Sequence, residues 1–542
     1  MIDKINTKIT DLLKRFSNLE SSFSQRDDWL NRISHYATPT LYNYKNDKSS
    51  SRSNLPNDVY DSTMVQSANI FANGLYSYLT NPSSKWFKLI LRDKKQMEIS
   101  GVKDWLESVE NKMFSVLSAT NFYSEMHQQY SSLVGGNCVL YREKDVEDVV
   151  RYYALPLTDC YFELDSRGKV GAMYRRIKRT PLQVVDEFPE TVSEKVRQMA
   201  QTAQADTYID VIHGVRPRWH RDMRKKDKLN KKFESVYIDK DNKTLLKEDG
   251  YDTFPFFVGW FIKDPSSPCG YGPGHLCMYD IKTLNQMMVT TIRAAQKQAD
   301  PPFSIPHDGY IMPFLTDPGA VNYRLTEDAN DTAKPLVTGS NFLVGMEMIR
   351  DGREMIKSAF FVDMFLQITN VSKRMTTVEV QELIAERAPM LGPVIDLLTT
   401  DYLNNIIEDL FSIVAEDKLI DPPPQALQNA DYTIEYVSPL AKAQKVSELR
   451  GIQSFMQMLA GTVQFNPDVI DNVDFDKMTQ IVGDVSGIPQ TVIKEPAQVL
   501  EDRQMRREAE AKRLMREQAE QMSIAAKNAS AADLNTAKAA RV

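Results

Sequence analysis

Two cysteines and a histidine lie close together and include the side-chain types that bind zinc. Cys269, His275 and Cys277 offer thiolate and imidazole ligands. Their spacing matches no zinc module, and the neighbouring sequence offers no evident fourth ligand. We therefore predict no metal site here and expect these side chains to pack in a turn and at the start of a helix.

A second group of potential metal ligands is acidic. Asp471, Asp474 and Asp476 are spaced like the carboxylates of a calcium-binding loop. The glycine and the distal glutamate of an EF-hand are missing from this segment. We expect a solvated acidic turn in which aspartates cap helices.

Familiar catalytic motifs are absent from the sequence. It contains no phosphate-binding G-x-x-x-x-G-K-[ST], no H-E-x-x-H and no G-x-S-x-G. The glycines at 270, 272 and 274 do not fit the dinucleotide-binding pattern. We predict a protein without catalytic residues or cofactors, and not an enzyme.

Basic residues are concentrated between Arg216 and Lys232, where nine Lys or Arg face two Asp. Strand-like sequence on both sides predicts a hairpin. The loop is then either solvated or a contact for an acidic protein or for DNA. The strongest candidates for a partner-binding patch are Arg216, Arg218, Arg221, Arg224, Lys225 and Lys226. A shorter run, Arg175, Arg176, Lys178 and Arg179, leaves the same alternatives open.

The most informative pattern is a pair of helices separated by an insertion. Apolar residues recur every three or four positions from Cys277 to Ala299, and again from Ile349 to Met364. The stretch between them, Asp300 to Gly345, holds six prolines and four glycines, which predicts turns and short strands. Such an order indicates a stalk of two helices with a small tip.

A polar loop follows the second stalk helix. Gln367 to Met375 carries Lys373 and Arg374, and Thr376 with Glu379 forms a capping box for a third helix. Prolines and a glycine near its start predict a kink before it ends near Asp417. A basic loop directly after a stalk indicates a nearby polyanion.

Helices are also predicted at both ends of the chain. Seven apolar residues from Ile2 to Phe23 form a three-heptad seam, which packs either on its own domain or in a coiled coil between subunits. A charged helix is expected from Pro496 to about Ala526, with frayed residues after it. Its apolar stripe is thin, so a bundle of identical helices would have to stabilise it.

Length and composition restrict the class of protein. A chain of 542 residues divides into several domains. Its net charge of -7 disfavours bulk electrostatic binding of nucleic acid but is compatible with a channel through which DNA slides. An apolar run near Trp260 is half the ~20 residues of a membrane span, so no membrane partner is expected. The start lacks signal-peptide features and four scattered cysteines predict a reduced protein, so we expect a cytosolic one.

At this point the sequence resembles the portal, or head-to-tail connector, proteins of short-tailed bacteriophages. The residues that carry the resemblance extend over nearly the whole chain. They are Asn81 to Phe87, Phe122-Tyr123 with Leu133 to Tyr141, Ser267 to Gly274, and Pro439 to Gln444 followed by Pro467, Asp471, Asp474 and Gly487-Ile488-Pro489.

The resemblance implies an α+β, predominantly helical portal fold and the following domains. Residues 1-273 form the wing, 274-299 the first stem helix, 300-345 the clip, 346-366 the second stem helix, 367-376 the tunnel loop, 377-436 a long kinked helix that returns to the wing, and 437-542 a helical crown or barrel. Lys373 and Arg374 are then the residues that face DNA.

The resemblance also implies the function and the partners. A dodecameric homo-oligomeric ring at one capsid vertex of the virion, assembled in the host cytoplasm, lets double-stranded DNA enter during packaging and leave during ejection. The clip binds terminase and later the tail adaptor protein, and the wing meets the major capsid and scaffolding proteins. The alternative is a nucleic-acid-processing enzyme with an unrecognised metal-dependent site.

Overall fold

The computed structural model describes most of the first four-fifths of the chain and one C-terminal helix. The described residues are 2–37, 58–91, 101–369 with gaps at 146, 203, 223, 226, 266, 306, 308–309, 318–319, 326–332 and 337–341, then 391–424, 432–436, isolated positions between 452 and 482, and 496–539. They fall into two compact units. The first contains Met1–Lys88, Glu110–Ile420 and Ile434–Leu440, and the second contains Leu89–Val109, Asp421–Thr433 and Ala441–Val542.

Helices account for much of the described chain. In order they are α1 Ile2–Ser22, α2 Ser24–Tyr36, α3 Thr63–Leu79, α4 Val102–Ala119, α5 Phe122–Ser132, α6 Pro181–Glu187, α7 Glu194–Ala200, α8 Pro273–Leu276, α9 Met278–Ala299, α10 Phe342–Ala359, α11 Val362–Thr369, α12 Gly392–Leu397, α13 Asn404–Glu416 and α14 Pro496–Ala539. A π-helical segment, Leu398–Leu403, joins α12 to α13.

The strands of the two larger sheets pair antiparallel. In chain order the strands are β1 Phe87–Leu91, β2 Asn137–Asp145, β3 Val149–Leu155, β4 Cys160–Leu164, β5 Val170–Arg179, β6 Ile209–Pro217, β7 Phe233–Asp239, β8 Thr244–Tyr251, β9 Phe256–Trp260, β10 Ile262–Lys263, β11 Gly270–Tyr271, β12 Phe303–Ser304, β13 Lys334–Pro335 and β14 Tyr432–Tyr436. Strands β4 to β8 form a five-stranded sheet in chain order, and β3, β2 and β9 form a three-stranded sheet. The α+β class predicted from the sequence is therefore confirmed.

The core of the first unit explains the apolar seam at the start of the chain. Ile9, Leu12, Phe16 and Phe23 are buried in one cluster with residues of both larger sheets. The Phe16 and Tyr161 rings meet edge to face, 5.3 Å between centroids. Of the two alternatives, these four residues pack on their own domain.

Two glycine-rich segments form a tight backbone junction that fixes where the first stalk helices begin. Gly136 has a φ of 95°, and a Cβ there would lie 2.2 Å from the Gly270 carbonyl oxygen. A Cβ on Gly272 would lie 2.4 Å from the Leu133 carbonyl oxygen. Asn137 Oδ1 accepts a hydrogen bond from Gly270 N at 2.7 Å. Helix α8 starts directly after this junction.

Three helix boundaries differ from the prediction. The first stalk helix is divided at Cys277 into α8 and α9 rather than continuous. The second stalk helix starts at Phe342. It ends at Ala359, because Phe361 adopts a positive φ of 55° that interrupts the helix before α11. The C-terminal helix continues to Ala539, since its last part is rich in alanine, the strongest helix former.

Candidate functional site

The predicted DNA-facing residues, Lys373 and Arg374, lie outside the described residues, as does the capping box after them. The structure describes the helices that precede and follow these residues. Helix α11 ends at Thr369 and α12 begins at Gly392.

The two stalk helices, α9 and α10, pack against each other in antiparallel register. A Cβ on Gly352 would lie 3.5 Å from Leu284 Cδ1, and one on Gly345 would lie 3.6 Å from Thr291 Oγ1. Moving seven residues toward the C-terminus of α9, from Leu284 to Thr291, corresponds to moving seven residues toward the N-terminus of α10, from Gly352 to Gly345. Seven residues are two helical turns. These contacts show the pairing over residues 284–291 of α9 and 345–352 of α10.

One ion pair ties the stalk to the body at its base. Arg353 Nε and Nη2 donate to Asp61 Oδ2 at 2.9 and 2.8 Å, and the Asp61 side chain is only 6 % exposed. Asp61 Oδ1 accepts from Thr63 N at 2.8 Å, at the start of α3. Burial tends to raise the pKa of Asp61, but hydrogen bonds from Thr63 and Arg353 outweigh burial and hold this pKa below 3.8.

The other stalk helix is held by the same segment of the body. Asn285 Oδ1 accepts a hydrogen bond from Tyr60 N at 2.8 Å. Asn285 Nδ2 donates to the Asp58 carbonyl oxygen at 2.7 Å. Residues 58–61 therefore fix α9 and α10 together at the base of the stalk.

The tip of the stalk is a small structure with its own hydrogen bonds. Strands β12 and β13 pair antiparallel, and Leu336 N donates to the Pro302 carbonyl oxygen at 2.8 Å. The Asn322 side chain donates to the Leu315 carbonyl oxygen at 2.6 Å and accepts from Leu315 N at 2.8 Å. The described part of the tip thus closes on itself.

Large apolar side chains are exposed on this tip. Its exposed members are Phe303, Ile311, Met312, Leu315, Val321, Tyr323, Leu325 and Leu336, and Val321 and Tyr323 are each 68 % exposed. A monomeric protein seldom exposes so many large apolar groups in one small element. The tip therefore has the character of a contact surface.

Helix α13 is fixed to the body by a buried ion pair. Arg142 of β2 and Asp409 of α13 are 3 % and 4 % exposed, and Arg142 Nε donates to Asp409 Oδ2 at 2.8 Å. Thr253 Oγ1 donates to Asp409 Oδ1 at 2.6 Å. Arg142 Nη2 also donates to Asp409 Oδ1. A buried carboxylate with these three donor contacts holds α13 against the three-stranded sheet.

The π-helical segment before α13 packs closely on the same sheet. Leu398 and Tyr402 are fully buried, and a Cβ on Gly259 of β9 would lie 3.2 Å from Tyr402 Cγ. The same Cβ would lie 2.7 Å from Cys138 Sγ. Close approach of helix and strand therefore requires glycine at this position.

The predicted basic patch is a hairpin loop between β6 and β7. Its basic residues differ in whether their side chains are held by contacts within the chain. Arg216 is half-buried, donating to Asp11 Oδ2 at 2.8 Å and also bonding Glu234. Arg218 donates to the Asp249 carbonyl oxygen at 3.0 Å. Both arginines are thus committed to contacts within the chain.

At the tip of this hairpin the side chains are exposed. They are Trp219, Arg221, Arg224 and Lys225, and Trp219 is 86 % exposed. Lys226 lies outside the described residues. A partner could therefore reach the basic side chains at the tip of the loop, whereas those at its base are held within the protein.

The three potential zinc ligands have contacts within the protein. Cys277 Sγ donates to the Pro273 carbonyl oxygen at 3.0 Å, and His275 Nδ1 accepts from Gly272 N at 3.2 Å. Burial raises the pKa of Cys277 to about 12 and lowers that of His275 to about 4, so both side chains are neutral. The described residues hold no cluster of three His, Cys, Asp or Glu side chains that could bind a metal. Asp471, Asp474 and Asp476 are outside them.

Sequence reasoning did not find the two ion pairs that fix the helices. Asp61 and Arg353 are far apart in the chain, as are Arg142 and Asp409. The one signal was a charged residue at an apolar position, since Arg142 follows Val139-Leu140-Tyr141 in a strand. Among the helices the structure describes, none is long and apolar enough to cross a membrane.

Comparison with known proteins defines the class to which this architecture belongs. Residues 10–493 match a family described as bacteriophage head to tail connecting protein. The chain belongs to this family, as the sequence resemblance predicted. The portal protein of Salmonella phage epsilon15 is 31 % identical over 532 residues, which cover 97 % of this chain and 94 % of that protein.

Two further matches were found. A probable portal protein of Bordetella phage BPP-1 is 27 % identical over 499 residues, which cover 89 % of this chain and 88 % of that protein. A chain from the virion of a native gene transfer agent particle aligns with a TM-score of 0.34 at 12 % identity, over 74 % of this chain and 86 % of that chain. A TM-score this low does not establish a shared fold.

Proposed function

We propose that this connector is a portal protein, a ring-shaped channel at one capsid vertex through which double-stranded DNA enters during packaging and leaves during ejection. The observation that carries this proposal is the antiparallel α9–α10 stalk, anchored at its base and ending in an apolar tip. Family membership and two relatives named as portal proteins support it. In this arrangement 1-273 would be the wing, 274-299 and 346-366 the stem, and 300-345 the clip.

A ring of identical chains would use the exposed apolar side chains of the helices. On α14 these are Met505, Leu514, Met515, Met522 and Ile524. Helices from neighbouring copies would cover them in a closed symmetric bundle, which we propose as the crown or barrel. The family resemblance favours twelve copies.

We assign DNA contact to Lys373 and Arg374 in the loop that follows the stem. Repeated around a ring, two charges per chain become a cationic belt in a protein whose net charge is -7. Weak, exchangeable phosphate contacts suit DNA that must move, because tight neutralisation of phosphates would oppose translocation.

The partners are those that the family resemblance implies. The exposed apolar tip suits terminase during packaging and the tail adaptor protein afterwards, and the wing suits the major capsid and scaffolding proteins. The protein would act without catalysis, as a component of the virion assembled in the host cytoplasm. The alternative of a nucleic-acid-processing enzyme finds no support in the comparisons.

Removal of the tip tests this assignment. Replacing residues 301–340 by a short glycine-serine turn should leave the body folded, because the described tip closes on its own hydrogen bonds. The variant should still form rings but should no longer bind terminase or tail adaptor in a pull-down assay. Global unfolding would show that the insertion belongs to the core, and retained binding would place the docking surface elsewhere.

A further inference from the structure

A pocket between the two larger sheets contains an arginine with no acidic partner. The pocket has a volume of about 360 Å³, within the roughly 300–1,000 Å³ of small-molecule sites. Its wall includes Arg175 of β5, Tyr141 of β2 and Tyr237 of β7. The function described above uses none of these residues.

The Arg175 guanidinium is held in place by neutral groups. Its carbon atom lies 4.1 Å from the centre of the Tyr141 ring, and its Nε donates to His213 Nδ1 at 3.0 Å. His213 is fully buried and bonds Ser235 Oγ through Nε2 at 2.9 Å. Burial, followed by the charge of Arg175, lowers the pKa of His213 well below 6.5, so the imidazole is neutral and accepts at Nδ1.

The other arginines of this strand differ from Arg175. Arg176 Nη2 lies 3.0 Å from Asp159 Oδ1, and Arg179 Nε lies 3.4 Å from Glu187 Oε2. No carboxylate in the described part of the chain lies within 4 Å of the Arg175 guanidinium. The guanidinium also hydrogen-bonds the Tyr237 side chain, and its remaining N–H groups retain donor capacity beside the pocket. A partly buried guanidinium without a carboxylate neighbour favours an anion as its partner.

The charge and shape of the pocket indicate which anion. The lining carries four basic side chains, all on β5, and three carboxylates, which leaves an excess of one positive charge. A monoanion would neutralise that excess, whereas a phosphate dianion would exceed it and meet three carboxylates. The planar fork of arginine matches a planar carboxylate. Tyrosine and aliphatic side chains also line the pocket around Arg175.

We propose that this pocket binds a carboxylate group on a short apolar stem, with Arg175 as its principal ligand. Two sources have this chemistry. One is an aspartate, glutamate or chain terminus of a second copy of this protein, and the other is a free small carboxylic acid. The site is independent of the stem, the tip and the DNA-facing loop.

Thermal unfolding of the full chain in sodium acetate tests the proposal. Acetate should raise the melting temperature above that in sodium chloride at equal ionic strength, and the rise should saturate with concentration. Arg175→Gln should weaken acetate binding about tenfold or more, because a charge-assisted pair is lost. Arg175→Lys should bind with intermediate strength, because it keeps the charge but loses the fork.

Arg167→Gln is the matched control, because Arg167 is an exposed arginine in the turn before β5 and outside the pocket. It should bind acetate like the unchanged protein. Three results would overturn the proposal. Acetate could stabilise the Arg175→Gln variant as much as the unchanged protein, or it could stabilise the unchanged protein in neither its assembled nor its dissociated form. Phosphate could also stabilise the unchanged protein more than acetate does. If Arg175→Gln fails to fold, the Arg175→Lys comparison still decides.

The same titration separates the two sources. If acetate stabilises only dissociated chains, a neighbouring copy supplies the carboxylate in the assembly, and an electron-microscopy map should show its side chain at Arg175. If acetate stabilises the assembled protein, the pocket takes a free acid. Either result supports the carboxylate site.

Discussion

Arg353 donates two hydrogen bonds, at 2.9 and 2.8 Å, to one carboxylate oxygen of Asp61. Arg353 lies on the second stalk helix, and Asp61 caps the start of a body helix through Thr63. The stalk therefore has a fixed direction at its base.

Loss of the Asp61 charge should destabilise the protein in a pH-dependent way. The pKa of Asp61 in the folded state is below 3.8, so its stabilising effect is complete above that pH and is lost as pH falls through the folded-state pKa. Asp61→Asn should cost about 1 kcal/mol at pH 7, a modest value because Arg353 is partly exposed. The difference in melting temperature from the unchanged protein should shrink below about pH 4.

Glu354→Gln provides the control for this measurement, because Glu354 is exposed and its ion pair among the described residues is with a neighbour on its own helix, Lys357. It should change stability by less than about 0.5 kcal/mol. A pH-independent loss in Asp61→Asn would mean that the carboxylate acts through shape rather than charge.

Gly352 gives a prediction in which two substitutions act in opposite directions. Gly352→Ala should stabilise the protein by about 0.5–1 kcal/mol, because alanine favours a helix and its Cβ would make an ordinary 3.5 Å contact with Leu284. Gly352→Leu should destabilise it by about 1–3 kcal/mol through overpacking between the stalk helices. Gly345→Ala, on the same face of that helix, should behave like Gly352→Ala in chemical unfolding. Destabilisation by both alanine variants would contradict the antiparallel register.

The buried pair of Arg142 and Asp409 should be among the most sensitive positions of the body. Asp409→Ala should cost about 3–5 kcal/mol, because it leaves an unpaired buried arginine. Replacing both residues with apolar ones, Arg142→Met with Asp409→Leu, should cost less than the single change.

An exposed pair between the same two elements is the control for that measurement. Lys144 of β2 lies 2.7 Å from Glu416 of α13, and both side chains are about half exposed. Lys144→Ala should change the unfolding free energy by less than about 0.5 kcal/mol. Similar losses of unfolding free energy at the buried and the exposed pair would contradict the claim that burial makes the Arg142–Asp409 pair sensitive to substitution.

Lys373 and Arg374 should act on DNA rather than on assembly. Replacing both with Ala should leave ring formation unchanged and stability within about 0.5 kcal/mol, whereas encapsidated DNA should fall. Replacing both with Glu should reduce DNA further, since a belt of negative charge repels the duplex. The measurement is DNA content of particles assembled with each variant.

The double variant Arg221→Ala with Arg224→Ala removes the same charge from the exposed hairpin tip. It should package DNA normally if position in the tunnel, rather than total charge, matters. The assignment to the tunnel would be disproved if the double-alanine variant of Arg221 and Arg224 lost as much DNA as the double-alanine variant of Lys373 and Arg374. It would also be disproved if the alanine and glutamate variants of Lys373 and Arg374 both packaged DNA normally.

The sequence allowed local features to be predicted where a few adjacent residues determine them. The apolar spacing of the stalk helices and the prolines at 301 and 302 were sufficient to locate the end of α9 at Ala299. The break at Phe361 was missed, because a positive φ in a phenylalanine is imposed by packing rather than by local preference.

The contacts that position the elements were not predictable from one sequence. Asp61 with Arg353, and Arg142 with Asp409, each join residues more than two hundred positions apart. The basic run at 216–232 shows the same limit, since its composition did not reveal that Arg216 pairs with Asp11 and Glu234. Charge composition predicts exposure on average, whereas pairing depends on the fold.

Native mass spectrometry of the purified full chain tests the central claim most directly. A portal channel requires a closed ring, so the spectrum should show one dominant species with the mass of about twelve copies of the 61.9 kDa chain. Negative-stain micrographs of the same sample should show rings with a central hole. A stable monomer or dimer at micromolar concentration would contradict the account.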